Sequence, residues 1–198
     1  MSPLRSQWYE SPDLAGDDVK LVQLRPHHAA GVLAAADDGE VFQWMSFNRP
    51  TDLLDAEALV DRYLSTPGQV VWAQIDQRFN ELAGITTYYD IDPVNRSVAI
   101  GSTWLGKRFW RTAINTEAKL LLLTRAFDAL GAARVVWHAD SMNRRSLGAL
   151  ERLGATREGT LRKHRIRLDG SWRDTVVASM LDDEWPAARE RLTSTGKR

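Results

Sequence analysis

Hydrophobic positions in this chain switch between period two and helical spacing, and the switches lay out the elements. Val19 to Leu24 alternates as V-K-L-V-Q-L and closes at Pro26, which predicts a first strand. His27 to Ala36 is rich in Ala and Leu and predicts a short helix ending near Gly39. Thr51 to Leu64 has an amphipathic helical pattern, with Asp52 and Asp55 at the positive end of the helix and Pro67-Gly68 as its stop. Val70 to Ile75 and Leu82 to Tyr89 read as two strands around the turn Asp76 to Asn80. The segment Asp90 to Asn95, with Pro93, turns back into a third strand, the weakly charged run Ser97 to Trp104. These three strands form an antiparallel meander.

From Ile114 the spacing becomes helical, with Leu120, Leu123, Phe127 and Leu130 at i, i+3, i+7 and i+10, and Gly131 as the stop. Arg134 to Ala139 predicts a strand coupled to that helix as in a parallel crossover. Asp140 to Asn143 supplies capping residues for a helix over Arg144 to Leu153, which Gly154 ends. Ala155 to Arg167 and Ser171 to Leu181 form a hairpin across the turn signal Asp169-Gly170. Trp185 to Leu192, with Pro186 in its first turn, predicts a last helix followed by a polar tail. Residues 1–16 read as an arm or a poorly ordered end, with Trp8 and Tyr9 folded back onto the body. The expectation is one mixed α/β domain over residues 17–198.

Composition narrows the function. At 198 residues the chain suits one domain that buries roughly 70% of its unfolded surface. Lys plus Arg and Asp plus Glu are both 26, so no global basic field points to a nucleic-acid partner. The absence of cysteine excludes disulfides, thiolate metal sites and a Cys nucleophile. The four histidines, His27, His28, His138 and His164, lack ligand spacing, and no metal is expected. No apolar run reaches the ~20 residues of a membrane span, and the polar start is unlike a signal peptide, so a cytoplasmic chain with no membrane partner is expected.

Against that neutral background, Lys107, Arg108 and Arg111 cluster between the strand ending at Trp104 and the helix from Ile114. The first N–H groups of a helix lack internal partners and point outward, so a strand, basic loop and helix start together suit an anion. Solvated cations in a plain strand–turn–helix would look the same.

Three stretches carry a resemblance that decides between these readings. The loop and helix W-R-T-A-I-N-T-E-A-K-L-L-L-L (110–123), N-R-R-S-L-G-A-L-E-R-L-G-A (143–155) and E-G-T-L-R-K-H (158–164) resemble the GNAT N-acetyltransferase superfamily. The branch they resemble includes the ribosomal-protein N-terminal alanine and serine acetyltransferases, and the similarity runs from about Val19 to Trp185. The family's acetyl-CoA loop reads Q/R-x-x-G-x-G/A, and here Arg108, Arg111 and Ala113 take the Arg, first Gly and Gly/Ala positions, so one glycine is replaced by arginine.

The resemblance implies an α/β (α+β) GNAT fold, a central, mostly antiparallel mixed sheet of about seven strands, splayed in the middle and flanked by helices. It implies transfer of an acetyl group from acetyl-CoA to a primary amine by direct attack, the amine being a protein N-terminus or a small molecule. Backbone groups of Trp104 and Leu105 would hold the pantetheine arm, and Arg108, Trp110, Arg111, Thr112 and Ala113 the phosphates, with Arg111 either reaching a phosphate oxygen itself or, standing where glycine is usual, re-routing or weakening the cofactor site. Asn143 would hydrogen-bond the arm, and Ser146 would donate a proton to the departing thiolate. Asn143 as a plain N-cap and Ser146 as a solvent-facing hydroxyl is the other reading of that pair. Val41 to Phe47 is core packing or one wall of an acceptor cleft. Strand 97–104 has no acid, although many GNAT enzymes place a Glu there, which leaves Glu40, Asp90 and Asp92 as candidate bases and weakly favours a low-pKa amine. The expected partners are acetyl-CoA and the amine acceptor, with a homodimer left open. The rival reading is a non-catalytic acyl-CoA-binding or interaction protein that keeps the fold.

Overall fold

The computed structural model describes residues 6–195; the first five residues of the arm and the last three of the tail lie outside them. Eight strands form one sheet, β1 (Leu14–Ala15), β2 (Val19–Gln23), β3 (Val70–Asp76), β4 (Glu81–Asp92), β5 (Ser97–Leu105), β6 (Arg134–Asp140), β7 (Thr156–Ile166) and β8 (Trp172–Leu181). Their spatial order is β1-β2-β3-β4-β5-β6-β8-β7, antiparallel except where β5 meets β6. The helices are α1 (Ala29–Ala35), α2 (Leu53–Ser65), α3 (Ala113–Thr124), α4 (Arg144–Leu153) and α5 (Trp185–Thr195).

Side chains alternate across a strand, so each face of the sheet gathers its own core. In β3, Val70 and Trp72 join a cluster with Tyr88, Leu122, Leu123, Trp137, Leu153 and Trp185, under α3, α4 and α5. Val71 and Ala73 join the other, with Val32, Phe42, Tyr63, Ile85 and Trp104, under α1 and α2. A short helix or hairpin alone could not bury this much apolar surface, so the sheet's two-sided core holds the fold.

Trp8 is buried against the body, as the sequence predicts, while Tyr9 stays exposed. The rest of the arm is tied down too: Leu14–Ala15 pairs with β2, and the buried Arg125 donates to the carbonyls of Gln7 (2.7 Å) and Glu10 (2.9 Å). The helix expected to run to Leu130 instead widens into a π turn over Arg125–Ala129, closed by Leu130 N–H to Arg125 O. Glu117, one turn into α3, accepts the N–H groups of Asp17, Asp18 and Val19 at 2.6–2.7 Å and fixes the entry to β2.

Two irregularities shape the middle of the sheet. β5 and β6 pair in parallel at Ser97–Arg134, Val98–Val135 and Ala99–Val136 and then separate. Their outer pairings continue, β4–β5 to Gly84–Leu105 and β6–β8 to Asp140–Thr175, so the sheet forks. Just past the fork β5 carries an extra residue: Ile85–Trp104 and Thr87–Gly101 are three steps apart on β5 and two on β4. Ser102 sits in this bulge at φ 44°, and the Tyr63 hydroxyl of α2 donates to its carbonyl at 3.0 Å. Among the described residues no helix is long and apolar enough to cross a membrane.

Candidate active site

The loop from β5 to α3 is built on a close approach. A Cβ on Gly106 would lie 2.4 Å from the Ala35 carbonyl oxygen, so only glycine lets β5 end against α1. A short turn over Lys107–Phe109 follows, and the Asp37 carboxylate accepts its first two N–H groups, from Lys107 at 2.8 Å and Arg108 at 3.3 Å. Lys107 pairs with Asp38 and Glu40, and Arg108 with Glu81 at 2.7 Å. Two of the three loop cations are thus already neutralised. Arg111 is exposed and forms no ion pair among the described residues.

Arg111 takes φ 62°, the left-handed conformation that glycine adopts without steric penalty. α3 begins two residues after that turn. Thr112 donates its hydroxyl to Phe109 O at 2.7 Å, and no side chain caps α3. The N–H groups of Arg111 to Ile114 make no hydrogen bond among the described residues. Unpaired donors at a helix start, beside a cation with no acid partner, suit a phosphate group.

The second half of the site is the start of α4. Asn143 caps it, its Oδ1 accepting the Ser146 N–H at 3.0 Å, so capping uses the oxygen and leaves the amide NH2 for a ligand. Ser146 is half-buried one turn in, and its hydroxyl makes no hydrogen bond among the described residues. The Arg145 guanidinium stacks 3.5 Å from the Trp110 ring centre, which brings α4 against the loop between β5 and α3. The Trp110 indole donates to the Leu105 carbonyl at 2.8 Å, so that carbonyl is already engaged.

Past the fork, on the sheet face that carries α1 and α2, Tyr89 of β4 and His138 of β6 meet across β5. The Tyr89 hydroxyl lies 2.8 Å from His138 Nδ1. Gly101 of β5 makes room for it, since a Cβ there would sit 2.7 Å from Tyr89 Cε1. Arg173 of β8 donates to the His138 carbonyl at 3.4 Å. At the end of β6 the buried Asp140 binds Arg167 through both oxygens, at 2.7 and 3.0 Å, and accepts the Met142 N–H at 2.9 Å. Arg167 in turn lies 5.9 Å from the Trp44 ring centre, so the 41–47 segment reaches this side of the fork.

Residues 18–156 match the model of the acetyltransferase (GNAT) domain. The chain belongs to the GNAT acetyltransferase family. Solved structures agree. A T. thermophilus protein assigned as an acetyltransferase is 38% identical, with TM-score 0.87 over 95% of this chain and 98% of that one. A GCN5-related N-acetyltransferase from Brucella melitensis is 31% identical, with TM-score 0.90 over 93% of this chain and 85% of that one. A Vibrio cholerae protein assigned as a ribosomal-protein-serine acetyltransferase shares the fold at 17% identity, with TM-score 0.74 over 86% of this chain and 97% of that one. No curated protein matches the chain.

In this GNAT chain the loop from Arg108 to Ala113 and the pair Asn143 and Ser146 come together at one end of the fork. Trp104 itself is buried against Phe42, its ring 5.1 Å away. The acids considered as bases are differently placed. Glu40 pairs with Lys107, and Asp92 accepts the N–H groups of Val94 and Asn95 in a turn. Asp90 is exposed at φ 46°. Nothing in the sequence pairs Tyr89 with His138, and histidine spacing speaks only to metal binding. A histidine inside the apolar run R-V-V-W-H-A was the available signal. Among the described residues no group of three or more His, Cys, Asp or Glu could hold a metal ion.

Proposed function

We propose that the chain transfers the acetyl group of acetyl-CoA to a primary amine by direct attack on the thioester, in the fork between β5 and β6. The observation that carries this is the loop at Arg111: a non-glycine residue is held at φ 62°, keeping the glycine-type turn and leaving the donors of Arg111 to Ile114 free. Acetyl-CoA fits these residues, because its pyrophosphate needs several N–H donors and a cation, and its amide-bearing arm needs strand edges opened by the fork. Arg108, Trp110, Thr112 and Ala113 frame the loop, Trp104 and Leu105 end β5 beside the arm with their carbonyls already accepting from Gln74 and from the Trp110 indole, the Asn143 amide faces the arm, and Ser146 donates to the leaving sulfur. The acceptor is a protein N-terminus or a small amine. Thiol release from acetyl-CoA across an amine panel, with acetyl-CoA binding measured beside it, tests the reading. Binding without turnover on any amine would favour a GNAT-fold binding protein instead.

Ser146→Ala is expected to lower turnover and leave acetyl-CoA affinity nearly unchanged, since protonating a thiolate matters only as the bond breaks. General-acid roles contribute ~10²–10⁴-fold, and a thiolate leaves readily, so a fall of about 10²-fold is expected. Unchanged turnover would make Ser146 a surface residue.

Arg111→Gly separates two effects. The left-handed conformation of an arginine costs about 1 kcal/mol, in free and bound protein alike, so glycine should raise stability without changing affinity. Losing a charge-assisted contact of roughly 1.5–3 kcal/mol should weaken acetyl-CoA binding about 10- to 150-fold. Salt dependence of binding should also become shallower, one phosphate contact being gone. Titration of acetyl-CoA at low and high salt checks this, and tighter binding by the glycine variant would mean that Arg111 obstructs the loop.

A further inference from the structure

We infer that His138 takes the proton from the attacking amine and that Tyr89 positions it, an assignment that rests on the acetyl transfer proposed above. Its position comes from the fork. The last parallel pair is Ala99–Val136, and His138 lies two residues further along β6, on the same face as Val136. Two residues further along β5 is Gly101, which has no side chain to fill the gap. Tyr89 reaches over it from β4 to His138 Nδ1 at 2.8 Å, so three strands converge on one imidazole where the sheet opens. His138 Nε2 makes no hydrogen bond among the described residues, and the ring is half-buried. One ring nitrogen is anchored and the other is available, as a directed proton acceptor requires.

The protons balance without a further reactant. The amine nitrogen forms its bond to the acetyl carbon, and the carbon–sulfur bond breaks with its electron pair on sulfur. The nitrogen's surplus proton passes to His138 Nε2, while Nδ1–H donates to the Tyr89 oxygen and spreads the new charge. The leaving thiolate takes the Ser146 proton, and solvent restores both groups. His138 must start neutral for this. Burial lowers its pKa, and Arg165, His164 and Arg173, from β7 and β8, push it the same way against the opposing pull of Asp90 on β4. The Tyr89 phenol is pushed up to about 12, first by burial and then by Asp90, so it stays a neutral partner. The acids of the sequence reading do not compete for the role: Glu40 and Asp92 are spent on Lys107 and on a turn, and Asp90 lies exposed.

The test reads kcat/KM against pH with an active amine. Once pH falls below the His138 pKa, which burial first of all holds under the ordinary imidazole value, both the amine and His138 gain protons, so log(kcat/KM) should fall with slope two in the wild type. In His138→Gln the slope should be one and the rate ~10²–10³-fold lower, with the acetyl-CoA Kd unchanged. Tyr89→Phe keeps the ring over Gly101 and removes the acceptor of Nδ1–H. The second break in its profile should move to lower pH, and the His138 ring titration followed by NMR in the free protein should move with it. That variant decides the matter if His138→Gln does not fold. An unchanged slope of two in His138→Gln, or an NMR titration that moves in Tyr89→Phe while the rate profile does not, overturns the assignment. Absence of turnover with every amine removes the acetyl-transfer reading, and this assignment with it. Turnover with an unchanged profile removes this assignment alone.

Discussion

Lys119→Met is expected to stabilise the protein by on the order of 4 kcal/mol near pH 6, and the gain should vanish above about pH 10.5. Lys119 of α3 is buried between helix and sheet, where its Nζ donates to Thr103 at 3.0 Å and Thr86 at 3.5 Å. It forms no ion pair among the described residues. Burial therefore brings its pKa down to about 7. In the unfolded chain the amine keeps a pKa near ~10.4. Below pH 7 it is protonated in both states and the burial penalty is complete. Between pH 7 and 10.5 only the unfolded chain binds the proton, so wild-type stability rises with pH. Methionine has nearly the same volume, and the Thr86 and Thr103 hydroxyls already bond each other at 2.8 Å, so no polar group is orphaned. Urea unfolding of both proteins from pH 6 to 10 measures it. A difference that stays flat with pH would show the amine charged and hydrated in the fold.

Lys119 also shows where sequence reading stops. In A-I-N-T-E-A-K-L-L-L-L a lysine looks like the solvated face of an amphipathic helix, because its partners come from strands 16 and 33 residues away. The apolar periodicity found the helix and misjudged its buried face. Leu123 and Phe127 are buried as expected, but Leu120 and Leu130 are half-buried, and Ala118, Lys119 and Leu122 complete the inner side. The π turn after Thr124, which adds a residue to one turn, had no Gly or Pro to announce it. Where local chemistry dictates conformation, sequence and structure agree. Asn143 and Gly154 (φ 85°) bound α4 over Arg144–Leu153, and Gly170 (φ 82°) turns the last hairpin. The basic loop was legible as a cluster, yet its electrostatics were not. The acids that neutralise Lys107 and Arg108 come from the segment after α1 (Asp38 and Glu40) and from β4 (Glu81), brought there by the tertiary fold. The Tyr89–His138 contact spans 49 residues and depends on a side chain missing at Gly101, which no local pattern encodes.

Asp140→Ala is expected to cost about 3–5 kcal/mol, the usual penalty for removing one partner of a buried ion pair. Asp140 is almost fully buried at the end of β6, with Arg167 on both oxygens and the Arg173 Nε 4.0 Å away. Removing the carboxylate leaves two largely buried guanidinium groups facing each other, and it strands the Met142 N–H that starts the turn into α4. Asp140→Asn should cost less, because one oxygen still accepts from Arg167 or Met142. The pH dependence checks the cause. Burial works to raise the Asp140 pKa, but the Arg167 bonds, the Met142 N–H and Arg173 together hold it below the usual carboxylate range. A depressed folded pKa adds stability that is present above pH ~4 and disappears as pH falls through the folded value. The gap between wild type and Asp140→Ala should accordingly be full at pH 6 and shrink toward pH 2. In an Arg167→Ala background the same substitution should cost distinctly less, since the stranded cation is gone. Equal costs in the two backgrounds would place the energy in the Met142 turn rather than in the ion pair, and would make Asp140 chiefly the residue that sets Asn143 and Ser146 at the fork.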